Sequence, residues 1–277
     1  MHIWNLFIAT ILGIVEGLTE FAPVSSTGHM IIVDDMFLNS KEVFTPQVAT
    51  AFKVVIQLGS ILAVVVVFRN RFFDLLHLKK MKSEDEVNHH KLNLFQVFVG
   101  LLPAVILGLL FDDYIEANLF SINTVIIGLV AGAILMLIAD WKSKRTHTLD
   151  TVDKLTYKHA FIIGLFQCLA LWPGFSRSGS TISAGVLSGL SHRASADFTF
   201  IMAVPIMAGA SALTLLKNWS AFTPDALPFF IVGFISAFVV ALISIRFFLA
   251  LINKIKLVPF AIYRIVLALI LFLIIHM

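Results

Sequence analysis

Six long apolar runs of about twenty residues, each with at most two charged side chains, constrain this chain more than any other feature. They lie at about 47–68, 92–111, 122–140, 197–217, 228–251 and 257–276. Each is long enough to cross the hydrocarbon core of a bilayer as a helix. The runs are continuous rather than alternating, which argues against a membrane barrel. Only 13% of the residues are charged, where soluble domains carry about 25%. The expected class is an all-α polytopic membrane protein, formed as a single integral membrane domain over 1–277. The formal net charge of +3 reflects loop Lys and Arg beside lipid headgroups, and no nucleic-acid partner is expected. One cysteine, Cys168, excludes an internal disulfide.

Two further regions are apolar but broken. Ile3–Phe21 is interrupted by Glu16 and Glu20, then stopped by Pro23 and the run Ser25-Ser26-Thr27-Gly28-His29. Residues 159–191 likewise form two short apolar arms around Trp172-Pro173-Gly174-Phe175-Ser176-Arg177-Ser178-Gly179-Ser180-Thr181. Neither arm spans comfortably. Non-helical backbone at membrane depth is tolerated only where protein or a water-filled cavity covers it. Both regions therefore read as re-entrant helix–loop–helix units.

Loop charge orients the chain. Loops 69–91, 141–158 and 252–256 are basic and belong inside, whereas 112–121 and 218–227 lack Lys and Arg and belong outside. Residues 34–46 read as a surface connection. Lys53 and Gln57 lie four residues apart on the first span. Lys53 either snorkels to the interface or faces the cavity.

The halves also match internally. At an offset of 151, Gly13 aligns with Gly164, Glu16 with Gln167, Ser25 with Ser176, Thr27 with Ser178 and Gly28 with Gly179. Each half reads as one re-entrant region plus three spans, giving pseudo-repeats of about 1–140 and 141–277. An odd span count inverts the second copy. The expectation is an inverted-topology repeat with its broken helices meeting near the midplane.

The motifs carry chemistry. Glu16 and Glu20 share a helix face and suit a hard divalent cation, Mg²⁺ or Ca²⁺. Ser26 and His29, three residues apart, can pair as nucleophile and base if a helix restarts after Pro23. Ser25 and Thr27 can cap that helix. Gly174, Ser176, Ser178, Gly179 and Thr181 surround Arg177 in a stretch suited to cradling phosphate. Arg177 can equally pair with Glu16 or Glu20. No Gly-Lys-Ser/Thr ending supports nucleotide binding. The combination points to metal-assisted phosphoryl transfer on a substrate with a lipid tail. A transporter of lipid phosphates is the rival class, because broken midplane helices are common in transporters.

The stretches Glu16-Gly-Leu-Thr-Glu-Phe-Ala-Pro-Val-Ser-Ser-Thr-Gly-His29 and Leu171-Trp-Pro-Gly-Phe-Ser-Arg-Ser-Gly179 closely resemble the signatures of the bacterial undecaprenyl-diphosphate phosphatases, the bacitracin-resistance family. The resemblance extends to Val55–Ala63 and Pro259–Arg264. It implies six spans plus two re-entrant helical pairs. It implies an inner-membrane, divalent-ion-dependent enzyme that hydrolyses undecaprenyl diphosphate to undecaprenyl phosphate and phosphate. That reaction recycles the lipid carrier of peptidoglycan synthesis and confers bacitracin resistance. By position, the family's functional residues fall on Glu16, Glu20, Ser26, His29 and Arg177, supported by Ser25, Thr27, Ser176, Ser178 and Thr181. The expected partners are a polyprenyl diphosphate substrate and membrane lipids. A homo-oligomer is compatible with this reading, and the site is expected to open outward.

Overall fold

The computed structural model describes residues 3–43, 45–76, 91–119, 121–143 and 149–276. Within them the chain is helical, with one isolated backbone bridge between Leu149 and Leu190. The helices are α1 (Ile3–Thr19), α2 (Ser26–Met30), α3 (Ser40–Val43), α4 (Pro46–Val67), α5 (Arg69–Leu75), α6 (Leu94–Leu119), α7 (Ile122–Ser143), α8 (Tyr157–Gln167), α9 (Arg177–Leu187), α10 (His192–Lys217), α11 (Leu227–Ile255) and α12 (Val258–His276). A π-helical turn, Ile31–Leu38, continues α2.

Six of these helices are long and apolar enough to cross a membrane: α4, α6, α7, α10, α11 and α12. They coincide with the six expected spans. Their outer faces expose large apolar side chains, such as Leu109 and Leu110 on α6, Ile243 and Phe247 on α11, and Leu269 on α12. A surface of that kind is a liability in water and ordinary in lipid. The remaining apolar helices, α1 and α8, are shorter.

Small residues set the packing. α1 lies along α11, and α8 lies along α6. A Cβ added at Gly13 would sit 2.5 Å from the Gly233 carbonyl oxygen, and one at Gly164 would strike the carbonyl of Gly100. These glycines bring the helix backbones together, as in membrane helix pairs. Each short arm thus packs against a span of the other half, so the halves interlock. Pro103 and Pro205 remove hydrogen bonds inside α6 and α10. A third helix pair, α7 with α12, joins the rest through the packing of α7 on α9.

Two connections differ from expectation. The connector expected over 112–121 is mostly helix: α6 continues through a kink at Phe111 to Leu119. Residues 34–46 are not simply surface. Asp34 is fully buried and accepts from the Ser40 amide and hydroxyl, each at 2.9 Å. Lys53 completes the charge balance at 2.8 Å from Asp34 and does not line the cavity described below, a third arrangement in place of the two expected. Lys79, Lys80, Lys82, Lys144 and Arg145, which weigh in the loop-charge argument, lie outside the described residues.

Candidate active site

The site begins with two helix breaks built alike. Ser25 holds φ 73° and caps α2, its side chain accepting from the Gly28 amide at 3.3 Å. Ser176 holds φ 72° and caps α9, accepting from the Gly179 amide at 3.2 Å. Left-handed backbone is uncommon for residues with a side chain and persists where the surroundings enforce it. Here a serine serves because the same residue must both turn the chain and cap a helix. The two serines are equivalent at the 151-residue offset.

The breaks meet at Glu20. Its Oε2 accepts from the Ser26 hydroxyl at 2.6 Å, and its Oε1 accepts from Arg177 Nη2 at 3.1 Å. Both Glu20 and Arg177 are largely shielded, with side-chain exposures of 8% and 14%. A buried pair is tolerated when geometry and added hydrogen bonds are good. Arg177 also lies over the Phe21 ring, 5.8 Å from its centroid, and Nη1 reaches the Thr199 carbonyl at 3.4 Å. The Ser178 hydroxyl donates to the Ala22 carbonyl at 3.1 Å, a second tie between the motifs.

Beside this junction lies a cavity of about 310 Å³. Its polar wall includes Glu20, Ser25, Ser26, Thr27, Ser176 and Arg177, with Gln57 and Gln167 further round. Its apolar wall includes Ala104, Leu171, Ile206 and Met207. The size falls at the lower end of small-ligand sites, about 300–1,000 Å³.

Several expected contacts are arranged differently. His29 does not face Ser26. Its Nδ1 is bonded to the Ser25 carbonyl at 2.8 Å and its Nε2 to the Tyr263 hydroxyl at 2.6 Å. Helix geometry explains this: residues 26 and 29 share a face, but Ser26 turns across the break to the nearer carboxylate. Glu16, His29, Ser178, Gly179 and Thr181 do not line the cavity, whereas Gly174 does. The Gly179 amide is used by Ser176, and Thr181 donates to the Arg177 carbonyl at 2.8 Å. These last three residues therefore shape the turn that presents Arg177.

Sequence reasoning missed two residues of α12. Arg264 is completely buried, and its Nη2 donates to the carbonyls of Gly128, Gly174 and Phe175 at 3.1, 2.8 and 2.8 Å. It fixes the Pro-Gly-Phe turn. Tyr263, its neighbour, holds His29. An arginine inside an apolar span was the available signal for Arg264; both residues also lie in the Pro259–Arg264 stretch that shares the family resemblance, which gave neither a role.

The acids also bear on metal binding. Among the described residues, no three His, Cys, Asp or Glu side chains converge as ligands. Glu16 and Glu20 do follow one helical turn, and Glu16 Oε1 is buried with no hydrogen-bond partner. Magnesium sites commonly use one or two carboxylates and complete their shell with substrate phosphate and water. The pair supplies two carboxylates toward such a site, Glu20 from the cavity wall and Glu16 from behind it.

Fold and site together define a polytopic helical membrane protein whose two broken-helix motifs join a carboxylate, a serine and an arginine beside a cavity. Residues 9–270 match the family described as Bacitracin resistance protein BacA. The chain belongs to that family. It is 65% identical over 274 residues to the undecaprenyl-diphosphatase of Bacillus subtilis (strain 168), covering 99% of each chain. It is 68% identical over 268 residues to that of Anoxybacillus flavithermus (strain DSM 21510 / WK1), covering 97% of each. Against the undecaprenyl-diphosphatase of Exiguobacterium sibiricum, identity is 60% over 278 residues and the whole of both chains.

Proposed function

We propose that this protein is an undecaprenyl-diphosphatase: it hydrolyses undecaprenyl diphosphate to undecaprenyl phosphate and inorganic phosphate. The observation that carries this reading is the Ser26–Glu20–Arg177 junction at the cavity wall, in a chain matched end to end by relatives named for that activity. The apolar wall offers contact for the first units of the lipid tail.

The residues divide the work as follows. Arg177 grips oxygens of the terminal phosphate, aided by the N-terminus of α9. An incoming phosphate competes with Glu20 for Arg177. Once Arg177 turns to the substrate, Glu20 is left to take the Ser26 proton. The Ser26 oxygen then forms a bond to the terminal phosphorus. The bond from that phosphorus to the bridging oxygen breaks, and undecaprenyl phosphate departs with the bridging oxygen. Water next attacks the seryl phosphate, giving up a proton as the Ser26 oxygen regains one, and phosphate leaves. His29, held by Tyr263, braces the Ser25 turn. Glu16 and the Glu20 Oε1 that Arg177 releases would hold a divalent ion, which supplies charge neutralisation for the diphosphate, while Oε2 stays with Ser26.

The reading also covers the setting. The two broken regions are re-entrant and the halves are inverted. The similar φ values at Ser25 and Ser176 and the reciprocal glycine contacts support this. The membrane is the bacterial inner membrane, and the site opens to its outer side, as loop charge suggests. Hydrolysis there recycles the lipid carrier of peptidoglycan synthesis and underlies bacitracin resistance.

Purified protein in detergent should release phosphate from undecaprenyl diphosphate with Mg²⁺ or Ca²⁺ present and stop when a chelator is added. Phosphate release without a sealed membrane separates hydrolysis from transport. Well-folded protein that releases none with either ion would overturn the reading.

A further inference from the structure

Gln167 closes α8 at the cavity wall. It is 2% exposed, yet neither its amide nitrogen nor its amide oxygen has a hydrogen-bond partner among the described residues. An interchange of the two atoms does not alter this, since both are unpaired. Burying an amide unpaired is penalised, and most buried polar groups avoid it. Other buried atoms without partners are single atoms of side chains such as Arg264, Ser60 and Ser183, which do not line the cavity. Gln167 leaves its whole polar end unpaired and belongs to the wall of the cavity that Arg177 also lines, with both amide atoms shielded from that space until a substrate displaces the wall.

Its place in the repeat adds a second argument. Gln167 stands where the first half has Glu16. Glu16 lies inside α1 and Gln167 ends α8, where a 3-10 turn follows; at this equivalent position the arm leading to Arg177 carries a neutral amide in place of a carboxylate. Phosphate oxygens only accept hydrogen bonds from an amide, and a carboxylate beside them would repel. The neutral side chain with N–H donors stands in the half that bears the arginine.

We infer that Gln167 is a substrate-binding residue: its Nε2 donates to a non-bridging diphosphate oxygen, sharing the anion with Arg177. This rests on the hydrolytic reading for its substrate, and the test separates the two. The full chain in detergent would be compared with Gln167→Met and Gln167→Glu. Three readings are taken: thermal unfolding alone, thermal unfolding with methylenediphosphonate and Mg²⁺, and steady-state hydrolysis. Met conserves length and removes the unpaired amide, so Gln167→Met should unfold at the same temperature or higher. Its stabilisation by the diphosphonate should shrink, and its KM should rise about tenfold with a smaller change in kcat, as expected for loss of a hydrogen bond to a charged group. Gln167→Glu should lose more of both. If the wild type is stabilised by the diphosphonate but releases no phosphate, hydrolysis fails, and the Gln167 contact stands only where the variants lose that stabilisation. Wild-type KM and wild-type stabilisation in both variants would overturn the contact. So would activity lost in step with a lowered unfolding temperature in Gln167→Met, which marks a merely structural amide.

Discussion

The two broken-helix motifs share a backbone and differ in charge. Ser25 and Ser176 have φ values of 73° and 72°, and each caps its helix through a glycine amide three residues on. On this common frame the first motif carries Glu16, Glu20, Ser26 and His29. The second carries Gln167 and Arg177. The fold therefore supplies symmetry, and the substitutions supply a site with an acid side and a basic side. A symmetric pair of acidic motifs would have repelled a diphosphate. A symmetric pair of arginine motifs would have bound one with no carboxylate to accept a proton.

The sharpest way to break the comparison is to remove its charged link. Arg177→Ala should lower kcat/KM by about 1,000-fold, because it removes the phosphate donor and leaves Glu20 buried without its partner. Arg177→Lys should restore little, since a point charge cannot reproduce the fork. Next come the hydroxyls on either side of the junction. Ser26→Ala should cost about 100-fold or more in phosphate release, and Ser178→Ala under about tenfold, because Ser178 only ties the turn to the Ala22 carbonyl. Near-wild-type turnover in Ser26→Ala would replace the seryl phosphate with direct attack by water.

The glycines sharpen the comparison through stability. A Cβ at Gly179 would come within 2.9 Å of Arg264 Nη1 and 3.2 Å of Met136 Sδ, whereas one at Gly28 meets nothing nearer than 3.6 Å. Gly179→Ala should cost about 1–3 kcal/mol of stability and Gly28→Ala much less, measured by unfolding in detergent. The smallest effect separates turn from cap. Ser25→Ala and Ser176→Ala should each cost about 1 kcal/mol, and the Gly variants only a few tenths, because glycine accepts positive φ without strain.

Much of this was legible in the chain. Six apolar runs fix six spans, because a bilayer leaves the backbone no economical alternative to helices of that length. The motifs named their chemistry through residue type alone: acids, hydroxyls and an arginine persist in an apolar chain only where they are paired or used. The 151-residue offset exposed the equivalence of Ser25 with Ser176. The connector was legible in position but not in form. The span ends at Phe111, as expected, yet the stretch beyond it stays helical to Leu119, because composition does not register a kink.

Partner choice belonged to the tertiary structure. Sequence spacing places Ser26 and His29 on one face, but only the packing of α12 gives His29 to Tyr263 and leaves Ser26 to Glu20. Glu16 and Glu20 are equally spaced candidates for Arg177 in the sequence, and the approach of α9 selects Glu20. Asp34 looked like a surface acid until α4 brought Lys53 over it. Arg264 and Gln167 gained their meaning from the carbonyls and the cavity that distant segments place around them. Local pattern sets which groups must be shielded from lipid. Which partner shields each one depends on contacts between segments far apart in the chain, and spacing along the chain does not encode those contacts.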